Sequence, residues 1–208
     1  MTAPTGAVLL QQVAERILVG FLRSTGHADA RRLANGSESG TGAGADLVYA
    51  VGGRAVKVKV KPDSYFGTDS TGVADRMLTF YRPNAGHYAF ESISNHLTRE
   101  PGWIFSSDAD DLYYYYLAIR QTEAEVKALY QGPDEVFFSE LAVERDELHV
   151  VSMSELRRWF EVNYESYVPR PVNAGNHAAW FRLIPRADIQ SAIAGIKTVS
   201  PVFSRVMR

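Results

Sequence analysis

Four side chains that could act together surround the Gly52-Gly53 pair of this sequence. Asp46 precedes one apolar run, and Lys57, Lys59 and Lys61 alternate with valines in the next. A carboxylate beside several amines suits metal-dependent chemistry on a phosphodiester, or direct contacts to phosphate groups. The alternative is a half-exposed sheet face whose lysines are only solvated, as charged side chains usually are.

A β-hairpin would bring these side chains together. Gly52-Gly53 tolerates positive φ and therefore suits a tight two-residue turn between the apolar runs. Counting outward from that turn pairs Val51 with Arg54 and places Asp46 opposite Lys59. Cross-strand partners share a face, and so do alternate residues of one strand. We therefore predict that Asp46 and the three lysines project from one face of the hairpin.

The hairpin resembles the core of the PD-(D/E)XK nuclease superfamily, in which an Asp is followed by a hairpin and a Glu-x-Lys. By position, Asp46 matches the Asp, Lys61 matches the Lys, and Lys59 stands where the superfamily has Glu. In that superfamily the carboxylates hold Mg²⁺ and the Lys positions or activates the attacking water. Lys59 removes one ligand and adds a cation, so the resemblance implies weakened Mg²⁺ binding unless another carboxylate takes over.

The order of the later segments is also similar to that of phage and bacterial nucleases of this type. Residues 61–68 resemble the polar loop after the Lys strand, residues 90–95 a strand with a Glu, and residues 108–116 an Ala-Asp segment running into tyrosines. The resemblance covers roughly residues 8 to 186. It implies a restriction-endonuclease-like fold.

Two glutamates are candidates for the missing ligand. The resemblance assigns Glu91 to the metal together with Asp46, and it offers Glu15 because many of these nucleases present a Glu from their first helix. The alternative for Glu15 is an ordinary solvent-facing helix residue. The implied cofactor is Mg²⁺ or Mn²⁺.

Composition excludes several classes of site. The chain has 208 residues, of which 46% are hydrophobic, enough for one domain over residues 1–208 with a substantial core. The absence of cysteine excludes disulfides, Cys-ligated zinc, iron–sulfur clusters and a thiol nucleophile. No apolar run approaches the roughly 20 residues of a membrane helix, so we expect a soluble, cytoplasmic protein.

Charge distribution matters more here than net charge. The net charge of −2 argues against an indiscriminate electrostatic nucleic-acid binder. The densest local positive cluster is Lys57, Lys59 and Lys61 with Arg54 at the turn, whereas acids concentrate in residues 108–111 and 135–147. One such basic patch is compatible with phosphate contacts over a short footprint.

Other catalytic motifs are missing. The five histidines have no ligand spacing, and there is no His-Glu-x-x-His and no Gly-x-Ser-x-Gly, so a zinc hydrolase and a serine hydrolase have no support. The Gly/Ser segment 36–44 lacks the Gly-Lys-Ser/Thr of a P-loop. It and the polar segment 63–84 are predicted loops.

Periodicity, β-formers and capping signals predict the remaining elements. The predicted helices are 8–23, one opened by Thr122-x-x-Glu125 and ending at Gly132, one opened by Ser152-x-x-Glu155, and one from Pro185 or Arg186 through Ile193. The predicted strands are 87–95, 103–105, a central strand including 113–119, the paired strands 137–143 and 147–151 with a turn at Arg145-Asp146, and 180–185. Residues 197–208 are predicted to be a loosely held tail.

We therefore predict an α/β domain with a mixed central sheet flanked by helices. The first functional hypothesis is a metal-dependent endonuclease acting on DNA, in which Asp46 with Glu15 or Glu91 binds Mg²⁺ and Lys61 orients the water. The second is a catalytically inactive nucleic-acid-binding or protein-binding module, contacting phosphates through Lys57, Lys59 and Arg54. A structural subunit of a homodimer or larger assembly is the third.

Overall fold

The computed structural model describes residues 5–33, 44–66, 86–173 and 176–206. Its helices are α1 (Thr5–Ser24), α2 (Trp103–Ser106), α3 (Glu123–Tyr130), α4 (Asp134–Glu140), α5 (Met153–Asn163), α6 (Arg186–Ala192) and α7 (Phe203–Val206). Its strands are β1 (Arg31–Arg32), β2 (Leu47–Val51), β3 (Arg54–Phe66), β4 (His87–Asn95), β5 (Glu100–Pro101), β6 (Asp111–Ile119), β7 (Val143–Ser152), β8 (Pro169–Asn173), β9 (Ala178–Pro185) and β10 (Lys197–Val199). Within these ranges, no helix is long and apolar enough to cross a lipid bilayer.

The strands form two sheets. A six-stranded sheet has the order β1-β2-β3-β6-β7-β10, and a four-stranded sheet has the order β5-β4-β9-β8. Among the described strands, only β3 and β6 pair in parallel, so the first sheet is mixed and the second is antiparallel. The mixed α/β class is confirmed, but the sequence did not predict the second sheet.

The predicted hairpin is confirmed in its turn and its register. Gly52 and Gly53 have φ values of 58° and 83°, the left-handed region that glycine adopts without a steric penalty. Val51 pairs with Arg54, and Leu47 pairs with Val58 four steps further from the turn. The ladder ends at that pair: Asp46 lies just before β2 and donates its backbone N–H to the Val58 carbonyl at 2.8 Å. The predicted partnership of Asp46 with Lys59 is therefore a contact between their side chains, at 3.2 Å, and not a cross-strand pair of the ladder.

Helix α1 packs on one face of the six-stranded sheet. The predicted helix over 8–23 is confirmed and is slightly longer. Its fully buried Val13, Ile17 and Leu18 lie in one core cluster with Leu47 and Val58 of the hairpin. The apolar stripe of the helix thus covers the valine face of the hairpin, and the lysines project from the opposite face.

Strand β6 lies in the middle of the six-stranded sheet, as its β-formers predict. Its tyrosines alternate between two cores: Tyr113 and Tyr115 face the α1 side, and Tyr114 and Tyr116 face the four-stranded sheet. All four hydroxyls are hydrogen-bonded inside the protein. The tyrosine run is therefore core rather than a platform for stacking bases.

The four-stranded sheet covers the other face through an aromatic core. Tyr88 and Phe90 of β4 stack at 5.5 Å, and Phe90 meets Phe160 of α5 edge to face. Residues 103–105 were predicted to be a strand, but they form the short helix α2, with Trp103 and Ile104 buried in this core. Arg157 donates to the carbonyls of Ile104 and Ser107 at the end of α2, so tertiary contacts stabilise that turn.

One predicted strand and one predicted turn in the second half are wrong, whereas the strand predicted over 147–151 is confirmed as part of β7. Residues 134–140 form helix α4, whose Phe137 is fully buried and carries the Arg16 guanidinium over its ring at 4.2 Å. Strand β7 continues through Arg145-Asp146 because it pairs with β6 along its length. Asp146 is buried in that strand, where the sequence suggested an exposed turn.

The helix signals had mixed outcomes. The Thr122 capping box is formed, whereas Ser152 precedes α5 without a side-chain cap. The helix predicted to follow Pro185 is confirmed as α6. The loop predicted over 63–84 is wrong for 63–66, where β3 continues because it pairs in parallel with β6. The rest of that loop, and residues 36–43 of the loop predicted over 36–44, lie outside the described residues.

The C-terminal segment is not loosely held. Strand β10 pairs with β7, and Val202 is fully buried. Asp146 accepts the backbone N–H groups of Val202 and Phe203 at 3.0 and 2.7 Å, as well as the Tyr115 hydroxyl at 2.7 Å. A buried carboxylate that the sequence placed in a turn therefore anchors the tail.

Candidate functional site

Asp46 lies at the start of the hairpin and is only 1% exposed. Its Oδ1 is 3.2 Å from the Lys59 ammonium, and its Oδ2 accepts the Val60 backbone N–H at 2.7 Å. Lys59 also donates to the Gly44 carbonyl at 3.1 Å. Position 59 therefore supplies an ammonium that forms an ion pair with the Asp46 carboxylate.

The surroundings of Asp46 disfavour its charged form. Burial raises the pKa of Asp46 to about 6, although Lys59 and the Val60 N–H act in the opposite direction. The nearby carboxylate of Glu15 raises it further. Folding therefore opposes ionisation of Asp46, and the Lys59 charge limits that penalty.

Glu15 reaches the same region from α1 and is buried, so it is not the solvent-facing residue of the alternative interpretation. Its Oε2 accepts from Arg32 Nε at 2.6 Å, and its Oε1 accepts from Gln11 Nε2 at 2.9 Å. Arg32 in turn donates to the Tyr130 hydroxyl at 2.6 Å. Both oxygens of Glu15 are thus engaged by donors of the chain itself.

Lys61 of β3 and Glu91 of β4 influence each other electrostatically, although they form no ion pair within 4 Å. Lys61 is half-buried, with its ammonium 5.3 Å from the centre of the Phe181 ring. Burial lowers the pKa of Lys61, Glu91 raises it, and the charge of Lys59 lowers it. Burial also raises the pKa of Glu91, while Lys61 and the Trp103 backbone N–H lower it. Glu91 is therefore the main counter-charge to Lys61.

Close backbone packing holds Glu91 in place. Gly102, just before α2, donates its N–H to the Ser92 carbonyl at 3.1 Å. A Cβ on Gly102 would lie 2.0 Å from the carbonyl oxygen of Glu91, far inside any real contact. Only glycine fits there, and from sequence alone Pro101-Gly102 looks like an ordinary turn.

The structure brings five of the predicted residues into one electrostatically coupled group. These residues, here called the charged site, are Glu15, Asp46, Lys59, Lys61 and Glu91. The charged site contains two cations and three acids, and Arg32, which forms an ion pair with Glu15, adds a third cation beside it. The sequence did not indicate Arg32, which lies in a two-residue edge strand with no motif around it.

Lys57 and Arg54 lie away from the charged site. Lys57 Nζ is 2.5 Å from Asp108 Oδ2, and an Arg54 N–H is 2.8 Å from Asp110 Oδ1. The parallel β3–β6 pairing causes this, because it carries the acids before β6 onto the hairpin. Arg54 and Lys57 and the acidic run before β6, which are far apart in sequence, therefore form one surface of paired charges.

A divalent cation does not fit the charged site as it is arranged. Mg²⁺ needs several oxygen ligands at about 2.1 Å. The oxygens of Asp46 and Glu15 accept from Lys59, Val60, Arg32 and Gln11 instead. In the described part of the chain, no group of three or more His, Asp or Glu side chains could hold a metal ion.

A second buried polar group was not predicted. His149 is fully buried, with its Nδ1 2.6 Å from the Tyr88 hydroxyl and its Nε2 2.8 Å from Glu147. Arg186 contacts both Glu147 and His149, and its guanidinium lies 4.8 Å from the centre of the Tyr116 ring. Burial lowers the pKa of His149, against the effect of Glu147. This group joins α6 to both sheets.

Comparison of the chain with protein families, curated proteins and solved structures finds no match.

Proposed function

We propose that this protein binds nucleic acid, through a nuclease-type scaffold, without using a divalent metal to cleave it. The observation that carries the proposal is the Lys59–Asp46 ion pair at the position where the motif requires a second carboxylate. A metal ion makes a nucleophile by lowering the pKa of its bound water. An ammonium in that place attracts phosphate but does not bind and acidify water in this way.

The coupling between Lys59 and Lys61 supports an anionic ligand. Burial and the neighbouring Lys59 both lower the pKa of Lys61, so its charged form is disfavoured. A phosphate near the two lysines would offset both effects and favour the protonated form. Glu91 already supplies part of that compensation, because its charge raises the pKa of Lys61.

The exposed pairs at the hairpin turn add a weaker contribution. The side chains of Arg54 and Lys57 are 77% and 46% exposed. Exposed ion pairs contribute about 0–1 kcal/mol, so a phosphate can compete for these cations. Asp108 and Asp110 limit the gain, and we expect these residues to matter less than the buried lysines.

A metal-dependent nuclease is the second candidate. It is favoured by two neighbouring buried carboxylates, Glu15 and Asp46, since the charge of Glu15 raises the pKa of Asp46. A divalent cation that displaced Lys59 and Arg32 would find two ligands there. This candidate requires the chain to break two ion pairs before it can act.

The two candidates differ in metal binding and in cleavage. Calorimetric titration with Mn²⁺ and Mg²⁺ and a cleavage assay on labelled DNA and RNA would compare the parent protein, Lys59→Glu and Asp46→Ala. We expect the parent to bind nucleic acid with little metal affinity and no cleavage, and Lys59→Glu to gain metal affinity. Lys197→Glu, a charge reversal at an exposed position on the opposite edge of the sheet, is the matched control.

Two results would overturn the proposal. Strong metal-dependent cleavage by the parent, lost in Asp46→Ala, would establish the nuclease instead. Failure of the parent to bind DNA or RNA at low salt would exclude both candidates, because phosphate attraction is strongest under those conditions.

A further inference from the structure

A cavity of about 230 Å³ opens beside the charged site, between α1, β1 and α4. Four arginines line it, Arg16, Arg23, Arg31 and Arg32, together with a single acid, Asp134. The cavity adjoins the charged site, because Arg32 forms an ion pair with Glu15 and also lines the cavity. Its lining carries far more positive charge than the hairpin surface.

Two of these arginines are held by the protein. Arg16 donates to Asp134 at 2.8 Å and to the carbonyls of Tyr130 and Gly132 at 2.9 Å each. Arg32 is engaged by Glu15 and Tyr130. These two residues supply a fixed positive charge, and Asp134 is already paired with Arg16.

The other two arginines, Arg23 and Arg31, have side-chain N–H donors without an acceptor among the described residues. Arg23 makes one hydrogen bond, from Nε to the Ala30 carbonyl at 3.0 Å, and its terminal NH₂ groups have no partner among the described residues. Arg31 has no side-chain partner in that part of the chain, although its backbone pairs with Val48 in the β1–β2 ladder. Both side chains belong to exposed residues at the cavity mouth. A guanidinium presents five N–H donors in a planar fork that matches phosphate oxygens.

We infer that this cavity binds one phosphate group of a nucleic-acid strand, with Arg23 and Arg31 as the donors and Arg16 and Arg32 as the supporting charge. The volume is below the roughly 300–1,000 Å³ of pockets that enclose drug-sized ligands, so it suits a phosphate rather than a whole nucleotide. The inference rests on the proposed function for the identity of the ligand. It predicts a second contact, beyond the charged site, for the bound strand.

The test uses inorganic phosphate and a labelled DNA oligonucleotide as separate probes. Arg23→Gln combined with Arg31→Gln removes both donors, and Arg158→Gln combined with Arg170→Gln removes two exposed arginines elsewhere as the matched control. We expect the cavity variant to bind either probe at least about tenfold more weakly. The slope of log affinity against log salt should fall by about 1, since one phosphate contact is lost.

Arg31→Gln alone guards against a folding effect, because its side chain makes no hydrogen bond or ion pair within the described residues. Weakening of either probe in Arg31→Gln and in the cavity variant, absent from the control, supports the inference. No change in either titration overturns it while leaving the proposed function intact. Phosphate binding that depends on the cavity, without any DNA or RNA binding, keeps the phosphate site and overturns the proposed function.

Discussion

Replacing Lys59 by methionine tests the electrostatics of the charged site. The Lys59 side chain is 9% exposed and that of Asp46 is 1% exposed, so the variant leaves a buried carboxylate without its ion-pair partner. Breaking a buried pair in this way commonly costs about 3–5 kcal/mol. The loss of stability can be smaller than this, because Asp46 can bind a proton and become neutral.

The pKa of Asp46 sets an upper limit on the destabilisation that the unpaired carboxylate can cause. In the parent, Asp46 has a pKa of about 6. Protonating it at pH 8 therefore costs about 2.7 kcal/mol, because each pH unit above the pKa costs about 1.36 kcal/mol. The loss caused by the unpaired charge in Lys59→Met should therefore approach but not exceed about 2.7 kcal/mol at pH 8. At pH 5 Asp46 is already protonated in the folded parent, and this loss should nearly vanish.

The sign follows from linkage. The folded-state pKa of Asp46 is raised from 3.8 to about 6, so the folded state binds more protons than the unfolded state between these values. The Asp46 contribution to the free energy of unfolding therefore falls as pH rises through that window, by roughly 3 kcal/mol. Without Lys59 the pKa of Asp46 should rise further, and the fall should continue towards pH 8.

Urea unfolding of the parent and Lys59→Met at pH 5 and pH 8 measures the effect. Arg54→Met is the matched control on the same strand, because it removes a 77% exposed cation and should cost less than about 1 kcal/mol at either pH. Adding Asp46→Asn to Lys59→Met should abolish the extra pH dependence. An equal loss at pH 5 and pH 8, or a loss at pH 8 no larger than that of Arg54→Met, would refute the reasoning.

Three further substitutions test the framework around the site. Gly102→Ala should destabilise the protein by on the order of 3 kcal/mol in urea unfolding, because its Cβ would collide with the backbone of Glu91. Asp146→Ala should cost about 2–3 kcal/mol and increase hydrogen exchange at Val202, whose N–H loses its acceptor. Burial lowers the pKa of His149, so His149→Gln should flatten the decline in stability of the parent as pH falls below 6.5.

Each of these has a control or a contradicting outcome. Gly132→Ala, where the nearest atom is a carbonyl at 3.3 Å, should cost much less than Gly102→Ala. Asp146→Asn keeps one acceptor oxygen and should preserve part of the protection at Val202. His177→Gln lies outside the buried polar group, and an equal flattening of the acid limb in that variant would contradict the role given to His149.

The predictions from sequence succeeded where the signal is local. A glycine pair flanked by apolar runs specified the hairpin and its register, because a two-residue turn leaves only one way to count outward. Helical periodicity specified α1, and a Thr-x-x-Glu capping box specified the start of α3. The run of β-formers around Tyr113–Tyr116 specified a central strand. Each of these signals involves residues only a few positions apart.

Local signals misled where distant segments compete for the same residues. Residues 137–140 and 103–105 have the composition of strands, but they form helices, whose Phe137 and Trp103 are buried in the two cores. Residues 197–208 were expected to be loosely held because they contain no local pattern that indicates a contact with the rest of the protein. Its anchor, Asp146, lies 56 positions away from Val202.

The sequence by itself determined which charged residues sit on the hairpin, and tertiary structure decided what each of them pairs with. The parallel β3–β6 pairing brought Asp108 to Lys57 across 51 positions, and the second sheet brought Glu91 to Lys61. Charge pairing depends on distance in space, which strand order fixes and sequence spacing does not reveal. The same fold placed four arginines around one cavity. They are scattered over the 17 positions from Arg16 to Arg32, with no recognisable motif.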